Sequence, residues 1–307
     1  MPHSTQAHLR GILFMSGAMV CLVCNDSLVK LIGAALPLAQ LVFVRGCIGV
    51  LMVWGAARTT GATTQLPRLL DRWVLARAAI DAAGTLLYLS ALLHLPLANA
   101  TAINLSAPLI IAVLAVLFLH ERPGPGRWLA IVAGFGGVLL VVQPRSDGFD
   151  HWALVSLAGT GCHALRELLT RRIDPRVPSL LVTLSSMVAV TSLAGGVLLL
   201  QGWQPMPAGQ WLPVAAAAAL LSAGYVLIVN AMRHGEMSLV APFRYVGLLA
   251  ALLLGWVLWR ELPNRTAVAG IVLMLAAGLY LVHDGRRARH AAPAPVVPPA
   301  AGTAGRQ

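Results

Sequence analysis

Apolar stretches of about twenty residues follow one another along the chain, separated by short polar turns. An α-helix rises about 1.5 Å per residue, so about twenty helical residues cross the hydrocarbon core of a bilayer. The hydropathy pattern therefore predicts ten spanning helices. They cover residues 9–32, 37–57, 73–93, 98–119, 126–143, 151–171, 178–201, 211–231, 238–259 and 264–283.

Composition supports an integral membrane protein. Of the 307 residues, 58% are hydrophobic and 11% are charged, whereas about 25% are charged in soluble domains. The net charge of +11 would favour a nucleic-acid partner in a soluble protein. Here the arginines lie mainly in short loops, and the sequence contains no nucleic-acid motif. We therefore predict a lipid-bilayer environment and no nucleic-acid partner.

The placement of arginines predicts the orientation in the membrane. If the N-terminus is cytoplasmic, the outside loops hold Arg145, Arg260 and Arg265. The inside segments then hold Arg10, Arg58, Arg68, Arg72, Arg122, Arg127, Arg171, Arg172, Arg176, Arg233, Arg286, Arg287 and Arg289. This asymmetry predicts that both termini are cytoplasmic. The apolar run at 11–32 is too long for a cleaved signal peptide, and the Ala- and Pro-rich tail at 291–307 is predicted to be disordered.

The two halves of the chain share one order of apolar blocks. At a shift of about 140 residues the aligned pairs include Glu121 with Glu261, Pro123 with Pro263, Asp26 with Glu167, and Pro37 with Pro178. Residues 9–143 and 151–283 are therefore predicted to be two five-helix repeats, each with a Glu-x-Pro hinge. Because five is odd, the second repeat enters the membrane inverted, which is typical of transporters.

Several charged side chains fall inside the predicted spans, where each costs about 2.5–3.5 kcal/mol on insertion scales. They are Asp26, Lys30, Arg45, Arg77, Asp81, Arg166, Glu167 and Arg244. The pairs Asp26 with Lys30 and Arg77 with Asp81 are four residues apart, so each shares a helix face and is placed to neutralise its charges within the helix. The alternative for Lys30 and Arg77 is that they snorkel to the membrane surface, because each lies about one turn from a helix end. Two interpretations stay open for the rest: they line a polar cavity, or they form structural pairs such as Arg166 with Glu167.

Neutral polar residues extend the candidate site. The candidate substrate-binding and translocation residues are Asp26, Arg45, Asp81, Tyr88, Asn104, His163, Arg166, Glu167, Arg244 and Tyr245. The neutral members could equally form interhelical hydrogen bonds. Pro108 and Pro242 are predicted to kink their helices beside Asn104 and Arg244. The Cys21-x-x-Cys24 pair is interpreted as apolar packing, and we predict no metal site, no cofactor and no catalytic residue.

Glycines on the fifth and tenth predicted helices provide small surfaces for close helix packing. They are Gly134, Gly136, Gly137, Gly270 and Gly278. The pattern fits packing within the bundle and also a homodimer, and both stay open.

Two segments resemble the EamA-type repeats of the drug/metabolite transporter superfamily. They are LPLANATAINLSAPLIIAVLAVLFLHERPGPGRWLAIVAGFGGVLLV and APFRYVGLLAALLLGWVLWRELP, within a resemblance that covers residues 9–283. It implies an all-α membrane fold of ten helices in two inverted five-helix repeats, in a bacterial inner membrane. It also implies a central cavity lined by the fourth and ninth helices, with the fifth and tenth peripheral.

The expected function is secondary transport, by alternating access, of a small amino-acid-like or amphipathic metabolite, with export favoured. The superfamily also moves riboflavin, S-adenosylmethionine, nucleotide sugars and opine-type metallophores, so import or exchange of a vitamin or nucleoside-type metabolite is the alternative. A membrane-embedded enzyme is disfavoured because zinc-protease, hydrolase and cofactor motifs are absent from the sequence. A scaffold role is disfavoured because the chain already holds both repeats.

Overall fold

The computed structural model describes residues 2–119, 124–143, 151–234 and 240–291, and these ranges contain helices and turns but no strand. The α-helices are α1 (Pro2–Gly33), α2 (Leu38–Thr59), α3 (Arg72–Leu92), α4 (Leu97–Asn104), α5 (Ala107–Leu119), α6 (Pro125–Val142), α7 (His151–Thr170), α8 (Ser179–Gln201), α9 (Ala208–His234), α10 (Val246–Trp259) and α11 (Arg265–Ala291). Two 3-10 helices cover Ala62–Leu70 and Ala241–Tyr245. The predicted hinge residues Glu121 and Pro123, and the tail at 292–307, lie outside the described residues.

Eight stretches among the described residues are long and apolar enough to cross a membrane. They are Leu9–Gly33, Leu38–Thr59, Arg72–Leu92, Leu97–Leu114, Pro125–Val142, Ser179–Gln201, Ala208–Ile228 and Pro242–Trp259. A shorter apolar stretch covers Arg265–Leu281 of α11. The all-helical, multi-pass membrane fold is therefore confirmed, whereas the number of ten spans stays a prediction.

Helices from the first half of the chain pack against helices from the second half. Contacts between the halves join α1 to α9, α2 to α8, α3 to both α7 and α8, α4 to α10 and α6 to α11. The main buried cluster includes Leu41 of α2, Leu92 of α3 and Ile103 of α4, none of which is exposed. Because the contacts cross from one half to the other, the two halves form a single bundle.

The predicted fourth helix is interrupted two-fifths of the way along its length. Here α4 ends at Asn104 and α5 begins at Ala107. Pro108 accounts for the break, since it donates no N–H and its ring clashes with the carbonyl four residues earlier. Within the predicted ninth helix, residues Ala241–Tyr245 similarly form a 3-10 turn that contains Pro242 and Arg244. Both predicted kinks are confirmed, and α4 packs against both α10 and α7 whereas α5 packs against α7.

α6 and α11 approach each other at two glycines. A Cβ atom on Gly137 would lie 2.7 Å from the carbonyl oxygen of Gly270, a distance that real Cβ atoms do not reach. Only glycine allows two helix backbones to come this close. These two glycines therefore serve packing within the bundle, and a homodimer stays a prediction.

Candidate functional site

The site is organised by a close crossing of α3 and α7. A Cβ atom on Gly159 of α7 would lie 3.0 Å from the carbonyl oxygen of Gly84 and 2.9 Å from the backbone nitrogen of Tyr88, both on α3. The absence of side chains at these glycines lets the two backbones approach. Polar residues that flank the crossing on each helix are consequently brought together.

The first polar group, which we call the Asp26 network, joins α1, α2 and α3. Arg45 donates from Nη1 to Oδ1 of Asn25 over 2.8 Å. Asn25 donates from Nδ2 to Oδ1 of Asp26 over 2.9 Å, and the Tyr88 hydroxyl donates to Oδ2 of Asp26 over 2.9 Å. Asn25 therefore links Arg45 to Asp26, and no direct ion pair joins those two residues in the part of the chain that the structure describes.

Arg45 holds a buried positive charge that its neighbours satisfy incompletely. The residue is 3% exposed, and its Nε has no hydrogen-bond partner among the described residues. A guanidinium offers five N–H donors in a planar fork that matches a carboxylate or phosphate. A buried donor without a partner costs stability, so Arg45 is well suited to receive an anionic group.

The second polar group, which we call the Arg166 cluster, joins α3, α7 and α8. Arg166 donates from Nη1 to Oδ1 of Asp81 and from Nη2 to Oε1 of Glu167, both over 2.8 Å. Arg77 donates from Nε to the Thr170 hydroxyl over 2.9 Å and from Nη1 to the Ser186 hydroxyl over 2.5 Å. The predicted pair of Arg166 with Glu167 is confirmed. Arg166 is thus already matched by two carboxylates.

The two same-helix pairs predicted from spacing, Asp26 with Lys30 and Arg77 with Asp81, are wrong. In the described structure all four side chains bond to groups on other elements instead. A same-helix pair contributes only about 0.2–0.5 kcal/mol. A bond between elements also fixes two packed helices relative to each other, so a buried charge stabilises the fold more when its partner lies on another element.

His163 lies between the two polar groups. Its Nδ1 is 3.0 Å from Oδ1 of Asn104, the last residue of α4. Its ring centroid is 6.1 Å from that of Tyr88. The end of α4 therefore meets the α3–α7 crossing, as expected if the broken fourth helix lines a cavity.

The remaining predicted residues lie at the edge of these groups or outside them. Arg244 is half-buried on its 3-10 helix, and its guanidinium interacts electrostatically with the Glu167 carboxylate. The Tyr245 hydroxyl lies against Gly278 of α11, so it joins neither polar group. Glu261 pairs with Lys30, and Pro263 lies in the connection between α10 and α11.

Sequence reasoning missed three members of these groups. Asn25 had a usable signal, because it is a second polar side chain next to Asp26 inside an apolar run. Thr170 and Ser186 gave no such signal, because small hydroxyl residues are common in spanning helices and usually bond to their own backbone.

A separate cleft of about 320 Å³ lies between α2 and α8, lined by Cys47, Val50, Leu51, Val188, Thr191 and Ser192. Leu51 is 67% exposed and Val188 is 45% exposed. In a membrane-spanning bundle exposed leucine and valine face lipid. The cleft therefore belongs to the lipid-facing surface and does not contain the two polar groups.

Comparison with known proteins gives a consistent result. The model of the EamA-like transporter family matches residues 9–143 and again residues 151–282. The pseudopaline exporter CntI of Pseudomonas aeruginosa is 27% identical over 281 residues, covering 88% of this chain and 96% of that protein. A riboflavin transporter of Rhizobium johnstonii is 30% identical over 214 residues, covering 69% of this chain and 70% of that protein.

A third relative and a solved structure extend the comparison. An S-adenosylmethionine uptake transporter of Rickettsia bellii is 25% identical over 203 residues, covering 63% of this chain and 66% of that protein. One crystal structure matches with a TM-score of 0.64 at 20% identity, covering 93% of this chain and 100% of that chain. At that identity the likeness shows the fold alone. The matching family and these three relatives are transporters rather than enzymes.

Proposed function

Because the chain belongs to the EamA-like transporter family, we propose that it is a secondary transporter that exports a small amino-acid-like or otherwise amphipathic metabolite. The likeness to a pseudopaline exporter over 96% of that protein's length supports export. The likeness to riboflavin and S-adenosylmethionine transporters supports a second candidate, the import or exchange of a vitamin or nucleoside-type metabolite.

The proposed architecture is ten spans in two inverted five-helix repeats. Helix α7, with 20 residues, and the apolar stretch Arg265–Leu281 of α11 supply two spans beyond the eight apolar ones. Helices α4 and α5 together count as one span. The first helix of each half packs against the third helix of the other, and the second, fourth and fifth pack against their own counterparts. A two-fold axis that relates the halves produces this exchange, and five spans in each half would place that axis in the membrane plane.

The proposed location is a bacterial inner membrane, with both termini in the cytoplasm. The steep arginine asymmetry supports this orientation. The outer end of the bundle then carries the connections 34–37, 93–96, 202–207 and 260–264. The inner end carries the connections 60–71 and 171–178.

The observation that carries the mechanism is the buried Arg45 with its unpartnered Nε. Arg166 also has an Nε without a hydrogen-bond partner among the described residues, but its charge is already matched by Asp81 and Glu167. Arg45 is therefore the cation assigned to the anionic group of the substrate. Asp26 accepts neutral hydrogen bonds within its network. Arg45 and Asp26 thus offer one positive and one negative group to an amphipathic solute, and Asp26 is the carboxylate assigned to proton coupling. Uniport is the alternative.

The test is substrate flux into liposomes that contain this protein alone. The panel holds amino acids, opine-type compounds, riboflavin, S-adenosylmethionine and nucleotide sugars. We expect one chemical class to be transported, and Arg45→Ala to lower its flux roughly 30-fold or more, because losing a buried charge contact costs about 2 kcal/mol or more. Arg176→Ala, which removes an exposed arginine of the inner connection, is the matched control and should keep wild-type flux.

Two outcomes would contradict the proposal. Wild-type flux in Arg45→Ala would move the substrate site away from the Asp26 network. An absence of flux across the whole panel, in protein that melts cooperatively, would count against metabolite transport by this chain alone.

A further inference from the structure

Lys30 makes a dense set of contacts at the outer end of the bundle. Its Nζ donates to Oε2 and Oε1 of Glu261 over 2.9 and 3.1 Å, and to the backbone carbonyl of Leu95 over 2.8 Å. The same ammonium lies 4.8 Å from the ring centroid of Trp259. Three hydrogen bonds use the full donor capacity of a lysine, and the aromatic face adds a cation–π contact.

We propose that Lys30 and Glu261 form an outer clasp, an ion pair that closes the transport path at the outer end and separates when the path opens there. The inference rests on the proposed alternating access and orientation. Lys30 is on α1, and Leu95 follows α3, so both belong to the first half of the chain. Glu261 follows α10 in the second half. The contact therefore links the two repeats at the outer end of the bundle, where alternating access requires helices of different repeats to move apart.

The burial of the outer clasp suits a contact that breaks and re-forms. The Glu261 side chain is 33% exposed, whereas the Lys30 side chain is 9% exposed. Water can therefore reach Glu261 and replace the lysine when the pair separates. The Arg166–Asp81 pair is 18% and 4% exposed. Separating that pair would leave a carboxylate without water, so it is suited to a permanent contact.

Lys30 and the residue that corresponds to it in the second repeat lie in different environments. The alignment that places Asp26 opposite Glu167 also places Lys30 opposite Arg171. Lys30 is largely buried against Glu261, whereas Arg171 is exposed at the inner end. Inverted repeats exchange the environments of matching residues when the path changes sides. The structure thus corresponds to the state that is closed at the outer end.

Two uncharged hydrogen-bonded pairs accompany the outer clasp, one between the Gln40 side chain and the Gln204 backbone and one between two amide side chains. Gln40 Nε2 donates to the backbone carbonyl of Gln204 over 2.7 Å, and the Gln204 N–H donates to Gln40 Oε1 over 2.9 Å. Gln143 and Asn264 exchange side-chain bonds of 2.9 and 3.1 Å. Both pairs cross between the halves at the outer end. Because both pairs are uncharged, a substitution that removes a charge changes the outer clasp and leaves these two pairs intact.

The experiment measures the distance between spin labels at Ala35→Cys and Leu262→Cys. Both sites are exposed in outer connections, one in each half. The four native cysteines are first replaced by alanine. We expect Lys30→Met and Glu261→Gln each to shift the distance distribution toward longer values, because the halves are no longer held together at this end. Arg176→Met, at an exposed arginine of the inner connection, is the matched control and should leave the distribution unchanged.

The exchange variant Lys30→Glu with Glu261→Lys restores opposite charges and should return the distribution to the wild-type distance. An unchanged distribution in both single variants, in monodisperse protein, would overturn the outer clasp. An exchange variant that stays shifted would overturn its ionic basis. Failure of the transporter proposal is distinct: flux would be missing while the distances still shift, whereas failure of the clasp leaves the distances fixed and flux intact.

Discussion

Single residues in the Arg166 cluster show how a buried charge is tolerated at membrane depth. Arg166 bonds two carboxylates, and Asp81 is 3% exposed. The bonds tie α3 to α7 at a point where the Asp81 carboxylate is almost fully buried. Such an arrangement stabilises the folded bundle only while all partners are present, since an abandoned buried charge costs far more than the pair contributes.

Asp81→Ala is expected to destabilise the protein by about 3–5 kcal/mol, because Arg166 would lose a buried partner. Melting of the purified protein in detergent measures the effect. Asp174→Ala is the control, since Asp174 is an exposed carboxylate in the turn after α7, and it should melt close to wild type. Wild-type melting of Asp81→Ala would instead mean that Asp81 is not a structural partner and is free to meet substrate.

The sequence located the buried charges but did not predict their partners. Spacing along a helix indicates which residues share a face, and it favours a same-helix ion pair between Asp26 and Lys30. It does not state which neighbouring element that face meets, and the partner of Lys30, Glu261, is 231 positions away. Asn25 was overlooked for the related reason that its importance lies in the bridge from Arg45 to Asp26, which requires two helices to be placed.

At the scale of elements, glycines decide which helices approach closely. The crossing of α3 and α7 depends on Gly84 and Gly159, and that of α6 and α11 on Gly137 and Gly270. The helix breaks near Pro108 and Pro242 were predictable, because proline acts locally. The glycines in the sequence indicate where a helix can be approached closely. They do not indicate which helix packs there, because a glycine has no side chain that could favour one partner over another.

Gly159→Ala is expected to destabilise the protein by about 1–3 kcal/mol through overpacking. Its methyl group would meet the backbone of α3 at Gly84 and Tyr88. Flux should fall as well, because Tyr88 would move relative to Asp26. Gly161→Ala is the matched control on the same helix, where a Cβ atom meets nothing within 4 Å. Equal melting temperatures for the two variants would show that the α3–α7 crossing is looser than described.

At the scale of the whole molecule, charge asymmetry and helix pairing complement each other. Arginine counts predict which end of the bundle faces the cytoplasm. The contacts show that the two halves interlock as one body. The order of apolar blocks predicts two repeats, and the family model matches the chain twice. The exchange of partners between first and third helices was not predictable, because apolar surfaces of similar composition do not encode which surface they meet.

The orientation is tested by labelling single cysteines with a membrane-impermeant maleimide in a chain whose native cysteines are replaced by alanine. Ala208→Cys, exposed at the start of α9, should react in intact cells or spheroplasts. Thr64→Cys, exposed between α2 and α3, should react after the membrane is permeabilised. The reverse pattern would invert the proposed topology, and the cysteine-free chain gives the background.

The position of Trp259 beside Lys30 makes the fluorescence of this tryptophan sensitive to the outer clasp. The indole ring has an ammonium group over its face, 4.8 Å from its centroid. A cation at this distance perturbs the π electrons of the ring, so removal of the cation changes the fluorescence of the indole. In a chain whose other seven of eight tryptophans are replaced by phenylalanine, emission from Trp259 would follow the opening of the outer end in real time, in an unlabelled protein and in the presence of substrate.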